Sequence, residues 1–161
     1  MDTVAASRSH ARDSGYGIMS QTSSAREAAS ENDMSTRRLG LTFDTGALIA
    51  LERRTQRIWE IYRTAMHEAI PITVPAAVVV EWWRGRTDVR QRILNGLRVE
   101  PLSGALARTA GEALAAIRSA SPIDAVVLAS AAMRGDVVYT SDIADLERLR
   151  QYFPRIRVMS V

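Results

Sequence analysis

From residue 39 to the end of the chain, short apolar runs alternate with helical segments, and this alternation constrains the fold more than any other feature. The pattern predicts strands at residues 39–43, 72–74, 99–102, 137–140 and 156–160. It predicts helices at residues 46–54, 55–69, 76–84, 88–97, 104–119, 122–134 and 144–152. Parallel neighbouring strands need crossover connections of helix length. Five strands spaced in this way therefore predict an α/β fold with a parallel sheet flanked by helices.

Residues 1–38 lack this pattern and are rich in serine, alanine, arginine and acidic residues. Such a segment cannot bury enough apolar surface to offset its ordering entropy. We therefore predict a disordered N-terminal tail followed by one domain at residues 39–161. Met34 lies just upstream of the apolar pattern and is a second candidate start, which raises the hypothesis that the tail is a start-site extension.

The residue types that are missing exclude several classes of site. The chain has no cysteine, which excludes a disulfide framework, a thiolate zinc site and a cysteine nucleophile. All 21 basic residues are arginine, so a P-loop lysine and a Schiff-base lysine are excluded as well. The two histidines, His10 and His67, have no acid or serine at a suggestive spacing. No segment has the pattern of a membrane helix or a signal peptide, so we expect a cytoplasmic protein without membrane contact.

Four carboxylates stand where the predicted elements meet one edge of the sheet. Asp44 directly follows the first strand, and Asp142 stands in the corresponding place after the fourth. Asp124 lies in the first turn of the helix that Pro122 opens, and Glu81 lies about two turns into the helix after the second strand. Helix capping, favourable contact with a helix N-terminus and a solvated helix face are structural alternatives for these residues. The apolar neighbours of Asp124 and Glu81 favour a shared site, because an unpaired carboxylate there would be costly.

Converging carboxylates predict a metal site. Oxygen ligands without nitrogen or sulfur favour Mg²⁺ or Mn²⁺ over zinc. Such ions lower the pKa of bound water and offset charge on phosphate oxygens. The sequence therefore predicts phosphodiester hydrolysis, and the formal net charge of +3 is compatible with a polyanionic substrate.

Four segments, in order, resemble the motifs of PIN-domain ribonucleases, most closely the VapC-type toxins of bacterial type II toxin–antitoxin systems. They are Leu-Thr-Phe-Asp-Thr-Gly-Ala-Leu at 41–48, Val-Val-Val-Glu at 78–81, Pro-Ile-Asp-Ala-Val-Val-Leu-Ala at 122–129, and Val-Tyr-Thr-Ser-Asp at 138–142 with Asp-Leu at 145–146. The resemblance covers essentially the whole chain after residue 38. It implies a PIN-like three-layer fold with a five-stranded parallel sheet and Mg²⁺-dependent endoribonuclease activity on an RNA substrate. It also implies a homodimer and a cognate antitoxin protein as partner.

The resemblance further implies metal-binding and catalytic roles for an acidic quartet, with Thr140 as the hydroxyl residue that precedes its last member. The quartet consists of Asp44, Glu81, Asp124 and Asp142. Gly46 stands where many relatives have serine, so a supporting hydroxyl is missing there and Thr45 is the candidate substitute. Asp145 is an extra carboxylate near the quartet, which we interpret as a first-turn helix acid rather than a ligand.

Two alternative functions remain open. A catalytically silent module with the same fold would bind RNA or a protein partner without cleaving it. The haloacid-dehalogenase-like phosphotransferases also place an aspartate after a strand, but they need a second one where this chain has Gly46. The adjacent Trp82 and Trp83 cannot both face the core of a helical domain, so one of them should be partly exposed, either on a partner or base-stacking surface or at the domain rim.

Overall fold

Five short strands alternate with seven helices in the computed structural model, which describes residues 39–161. The strands are β1 (Leu41–Phe43), β2 (Ile72–Pro75), β3 (Arg98–Glu100), β4 (Val137–Thr140) and β5 (Arg157–Ser160). The helices are α1 (Thr45–Glu52), α2 (Gln56–His67), α3 (Ala76–Trp82), α4 (Asp88–Asn95), α5 (Gly104–Ala116), α6 (Pro122–Arg134) and α7 (Ile143–Arg150). The sheet has the order β3-β2-β1-β4-β5, and all four strand pairs are parallel. The predicted α/β fold class with a parallel five-stranded sheet is confirmed.

The predicted disordered tail at residues 1–38, which contains His10 and Met34, lies outside the described residues. The tail and the domain boundary therefore stay predictions. Within residues 39–161, none of the helices combines the length and the apolar character needed to cross a membrane.

Most predicted boundaries differ from the observed ones by one to three residues. The helices predicted at residues 46–54 and 55–69 end two residues early, because Arg54 and Ala69 have left-handed φ angles of 55° and 53°. A residue with positive φ cannot continue a right-handed helix. The helix predicted at residues 104–119 ends at Ala116, after which the chain turns towards α6.

Helix α6 is the central helix of the domain. Its residues 125–131 are all buried, because α6 packs on β1, β2 and β4 and is flanked by α5 and α7. Gly135, with a φ of 77°, ends the helix, and only one further residue separates it from β4. Helix α6 therefore runs antiparallel to the strands, and its first turn lies at the carboxyl edge of the sheet.

The opposite face of the sheet carries α1, which packs on β1 and β4 and contacts α2, α3 and α4. Right-handed crossovers place α1 to α4 on this face and α5 to α7 on the other, which gives three layers. The largest fully buried side chains come from both helical layers and from the sheet between them. They include Phe43, Leu48, Leu51, Val74, Leu106, Leu128, Val138 and Leu146.

A polar network holds the end of α6 against the sheet. The Arg134 guanidinium lies 2.8 Å from Asp136 Oδ2 through Nε and 2.6 Å from Glu100 Oε1 through Nη1. Its Nη2 donates to Thr42 Oγ1 at 2.9 Å and to Ser130 Oγ at 2.8 Å. Thr42 and Ser130 are fully buried and Asp136 is 5% exposed. One arginine at the end of α6 therefore compensates two carboxylates, Glu100 at the end of β3 and Asp136 just before β4.

Candidate active site

Asp44 lies where β1 ends and α1 begins, and its carboxylate caps the helix. Oδ1 accepts a hydrogen bond of 2.7 Å from the Ala47 N–H, and the Thr140 hydroxyl also bonds to the carboxylate. The side chain is buried, and burial raises its pKa above the ordinary value. The Glu81 carboxylate adds to this rise, whereas the hydrogen bonds from Thr140 and Ala47 oppose it. Asp44 is thus a fixed carboxylate whose charge is only partly compensated by protein donors.

Thr140 connects the ends of β1 and β4. Its hydroxyl bonds to Asp44 and accepts the Asp142 N–H at 2.8 Å, so the donor and acceptor functions are both used. Thr140 itself is fully buried. Asp142 is exposed and caps α7, with Oδ1 accepting the Asp145 N–H at 3.3 Å. The buried Thr140 hydroxyl therefore links the Asp44 side chain to the backbone of Asp142 and fixes the two residues relative to each other.

Glu81 reaches the same edge from α3, which begins directly at the end of β2. Its Oε2 accepts a hydrogen bond from the Thr45 hydroxyl in the first turn of α1. Glu81 is partly buried, and its charge acts on both Asp44 and Asp124. Thr45, the residue suggested as a substitute hydroxyl, thus supports Glu81.

Asp124 stands in the first turn of α6, just after the N-cap Ser121, whose Oγ accepts the Ile123 N–H at 3.2 Å. The pKa of Asp124 is raised to about 6, first by burial and then by the charges of neighbouring carboxylates. These neighbours are Asp44, Asp145, Glu81 and Asp142. All four quartet residues therefore lie close enough to interact at the carboxyl edge of the sheet. Asp44, Glu81 and Asp142 thus lie within electrostatic range of Asp124, and the catalytic role of the quartet stays a prediction.

Asp145, which the sequence pattern favours as a first-turn helix acid, is a fifth member of this cluster. It lies in the first turn of α7, as expected, and pairs with Arg148. It also raises the pKa of Asp124, and its influence exceeds that of Glu81 or Asp142. The three-residue spacing between Asp142 and Asp145 could have predicted that Asp145 lies near the quartet, because residues three apart at the start of one helix face the same side.

A second feature missed by sequence reasoning is the contact between Gly46 and Ser141. A Cβ built on Gly46 would overlap the Ser141 hydroxyl and lie 2.8 Å from the Ser141 Cβ. Position 46 therefore requires glycine as long as the Ser141 side chain keeps this position. No local pattern could have indicated this contact, because the two residues are far apart in the chain.

The ligand chemistry of the cluster fits a hard divalent cation, although its side chains do not form a closed cage. Within residues 39–161, no group of three or more histidine, cysteine, aspartate or glutamate side chains is arranged to hold a metal ion. Protein donors already occupy oxygens of Asp44, Glu81 and Asp142. Mg²⁺ is commonly held by one or two carboxylates together with several waters, so it does not need a closed cage. The cluster offers only oxygen donors and excess negative charge, which suits Mg²⁺ or Mn²⁺ better than zinc.

The adjacent tryptophans face different surroundings, as predicted. Trp82 is 3% exposed, and its Nε1 donates to Glu52 Oε2 at 3.2 Å. Trp83 is only partly buried and packs edge-on against Trp82, with ring centroids 6.0 Å apart. Arg90 lies over the Trp82 ring and pairs with Glu52, which fixes the end of α3 directly after Glu81.

The fold is similar to those of several solved toxin–antitoxin structures. A DNA-bound VapBC from Salmonella typhimurium shares 20% identity at a TM-score of 0.59, covering 76% of this chain and 98% of that chain. VapBC2 from Rickettsia felis, bound to a DNA fragment from its promoter, shares 12% identity at a TM-score of 0.63, covering 76% and 99%. A toxin–antitoxin complex from Klebsiella pneumoniae shares 20% identity at a TM-score of 0.57, covering 74% and 96%. No family model and no curated protein sequence matches the chain. At these identities the similarity establishes the PIN-like fold and leaves the activity to be argued from the site.

Proposed function

We propose that this chain is a Mg²⁺-dependent endoribonuclease and the toxin of a toxin–antitoxin pair. The observation that carries the proposal is the group of carboxylates at the carboxyl edge of the sheet, where Asp44, Asp145, Glu81 and Asp142 add to the rise in the pKa of Asp124 that burial causes first. Such a cluster is electrostatically unfavourable without a cation, and the helix caps made by Asp44 and Asp142 do not require Glu81 and Asp124 beside them. RNA is the substrate class that the motif resemblance indicates, and the cytoplasm is the location that we propose.

Asp44, Glu81, Asp124 and Asp142 are the residues that would hold Mg²⁺, with Mn²⁺ as a possible replacement. When bound, the ion would supply charge neutralisation at the phosphate and a lowered pKa for a water nucleophile. The protein's own contribution is to fix the ligands. The Ala47 N–H and the Thr140 hydroxyl orient Asp44, the Thr45 hydroxyl orients Glu81, and the start of α6 presents Asp124.

An Asp44→Asn variant tests the proposal. Asparagine keeps an oxygen that can accept the Ala47 N–H, so the α1 cap should persist while the charge is lost. Cleavage of a fluorescent single-stranded RNA in Mg²⁺ should be abolished, while the circular dichroism spectrum stays that of the wild type. Asp88→Asn is the matched control, because it removes an exposed first-turn acid from α4. Retained cleavage by Asp44→Asn in added Mg²⁺ would refute the assignment.

A catalytically silent RNA- or protein-binding module is the second candidate. It is favoured by the absence, among residues 39–161, of three acidic side chains already arranged around one ion. A Mg²⁺ titration separates the two functions. The nuclease requires cleavage that rises with Mg²⁺ and stops on chelation, whereas the silent module should bind RNA equally with and without the ion.

The proposed protein partners are an antitoxin and a second copy of the chain. The antitoxin is supported by structural neighbours that are themselves VapBC and toxin–antitoxin complexes. The protein encoded by the adjacent gene, when added to the purified chain, should form a complex and inhibit RNA cleavage. Light scattering of the chain alone should give the mass of a homodimer.

A further inference from the structure

Three hydroxyl side chains lie at the ends of β1 and β4, and two of them are committed to carboxylates. The Thr45 hydroxyl donates to Glu81, and the Thr140 hydroxyl bonds to Asp44 while accepting the Asp142 N–H. The third belongs to Ser141, which is exposed. Its hydroxyl forms no hydrogen bond within the part of the chain that the structure describes. Ser141 therefore has a donor that is free for a ligand.

The backbone places this donor directly over the first turn of α1. The Ser141 hydroxyl occupies the space that a side chain on Gly46 would fill, and the Ser141 backbone nitrogen lies 3.0 Å from that position. Gly46 is two residues from Asp44, and Ser141 directly precedes Asp142. The free hydroxyl thus lies against the first turn of the helix that Asp44 caps, and on the residue directly before Asp142.

The chemistry of the cluster gives this donor a specific use. Ionised carboxylates only accept hydrogen bonds, and the non-bridging oxygens of a phosphodiester are acceptors as well. A phosphate that approaches five carboxylates therefore needs donors in addition to a cation. We propose that Ser141 is a substrate-binding residue that donates a hydrogen bond to a non-bridging phosphate oxygen of RNA. The inference rests on the proposed nuclease function and adds to it a residue outside the acidic quartet.

The contact with Gly46 also identifies a second residue from which a hydroxyl could occupy the same space. A serine at position 46 would place its side chain in the space that the Ser141 side chain now fills. Gly46→Ser alone should therefore be strained, whereas the combination of Gly46→Ser with Ser141→Gly moves the hydroxyl from one element to the other. If the hydroxyl acts only through its position, it should function whether it belongs to residue 46 or to residue 141.

The test compares Ser141→Ala, Gly46→Ser and the exchange variant Gly46→Ser/Ser141→Gly in the full chain. The measurements are kcat/KM on a fluorescent mixed-sequence RNA in Mg²⁺, the unfolding temperature, and its increase on adding Mg²⁺ without RNA. Ser141→Ala should lower kcat/KM about tenfold to a hundredfold, as expected for one hydrogen bond to a charged group. Its unfolding temperature and its response to Mg²⁺ should match the wild type. The exchange variant should be more active and more stable than Gly46→Ser.

Thr109→Ala is the control, because Thr109 is half-buried and its hydroxyl donates only to the Ala105 carbonyl within α5. It should leave kcat/KM unchanged. If the wild type cleaves RNA and Ser141→Ala cleaves it equally well, the role of Ser141 is overturned while the nuclease function stands. An exchange variant no more active than Gly46→Ser would overturn it too. A wild type that does not cleave RNA in Mg²⁺ would instead overturn the proposed function.

Discussion

Replacing Asp124 with asparagine should stabilise the metal-free protein at neutral pH. Because the pKa of Asp124 is raised from 3.8 to about 6, the folded state binds the proton more tightly than the unfolded chain does. The stabilising contribution of this proton is present below about pH 4 and is lost as the pH rises through about 6. At about 1.36 kcal/mol for each tenfold change in proton affinity, the loss is at most about 3 kcal/mol. Asp124 is partly exposed, so solvent screening reduces it to about 1 to 2 kcal/mol.

The free energy of unfolding is measured by urea titration with a chelator, followed by tryptophan fluorescence. The free energy of unfolding of Asp124→Asn should exceed that of the wild type by about 1 to 2 kcal/mol at neutral pH, and the two values should differ little at about pH 4. Asp88→Asn should instead lose up to about 1 kcal/mol at neutral pH, because it removes a favourable acid from the first turn of α4. Added Mg²⁺ should stabilise the wild type more than Asp124→Asn. A less stable Asp124→Asn, or an equal gain at both pH values, would refute the electrostatic reasoning.

Three further predictions concern the stability of the fold. Arg134→Met should lower the free energy of unfolding by about 3 to 5 kcal/mol in urea titration, because Asp136 and Glu100 would lose their common cation; a loss below about 1 kcal/mol would contradict this. Ala69→Gly should raise the unfolding temperature by a few degrees, since Ala69 has a φ of 53° at the end of α2. Gly135→Ala should lower it by a similar amount, since Gly135 has a φ of 77° and no neighbour that an added Cβ would meet. Shifts of the same sign in the last two variants would contradict the backbone argument.

The architecture could be predicted because each element has its own local pattern. Apolar runs marked the strands, and their separation by helices required parallel pairing. The places of Asp44 and Asp142 followed from the same logic, because a residue directly after a parallel strand must stand at its carboxyl edge. Helix ends were less certain, since nothing in the sequence indicated that Arg54 and Ala69 would adopt left-handed backbone angles.

Contacts between distant side chains could not be predicted in this way. The hydrogen bond from Thr42 to Asp136 joins residues 94 positions apart, and its existence depends on the pairing of β1 with β4. The contact of Gly46 with Ser141 likewise depends on the approach of two turns to within about one side-chain width. The influence of Asp145 on Asp124 also required knowledge of how α7 lies beside α6.

Helix capping and metal binding are alternative roles for Asp44 and Asp142, and the observed geometry is compatible with both. A strand that leads directly into a helix puts the N-cap residue at the sheet edge, where its side chain can bond to the first free N–H groups. One carboxylate oxygen then fixes the side chain, as Asp44 Oδ1 does with the Ala47 N–H. The cap therefore orients a charge that the fold itself does not need. Asparagine at either position keeps the cap and removes the charge, so variants that fold normally but lose their response to Mg²⁺ would separate the two roles.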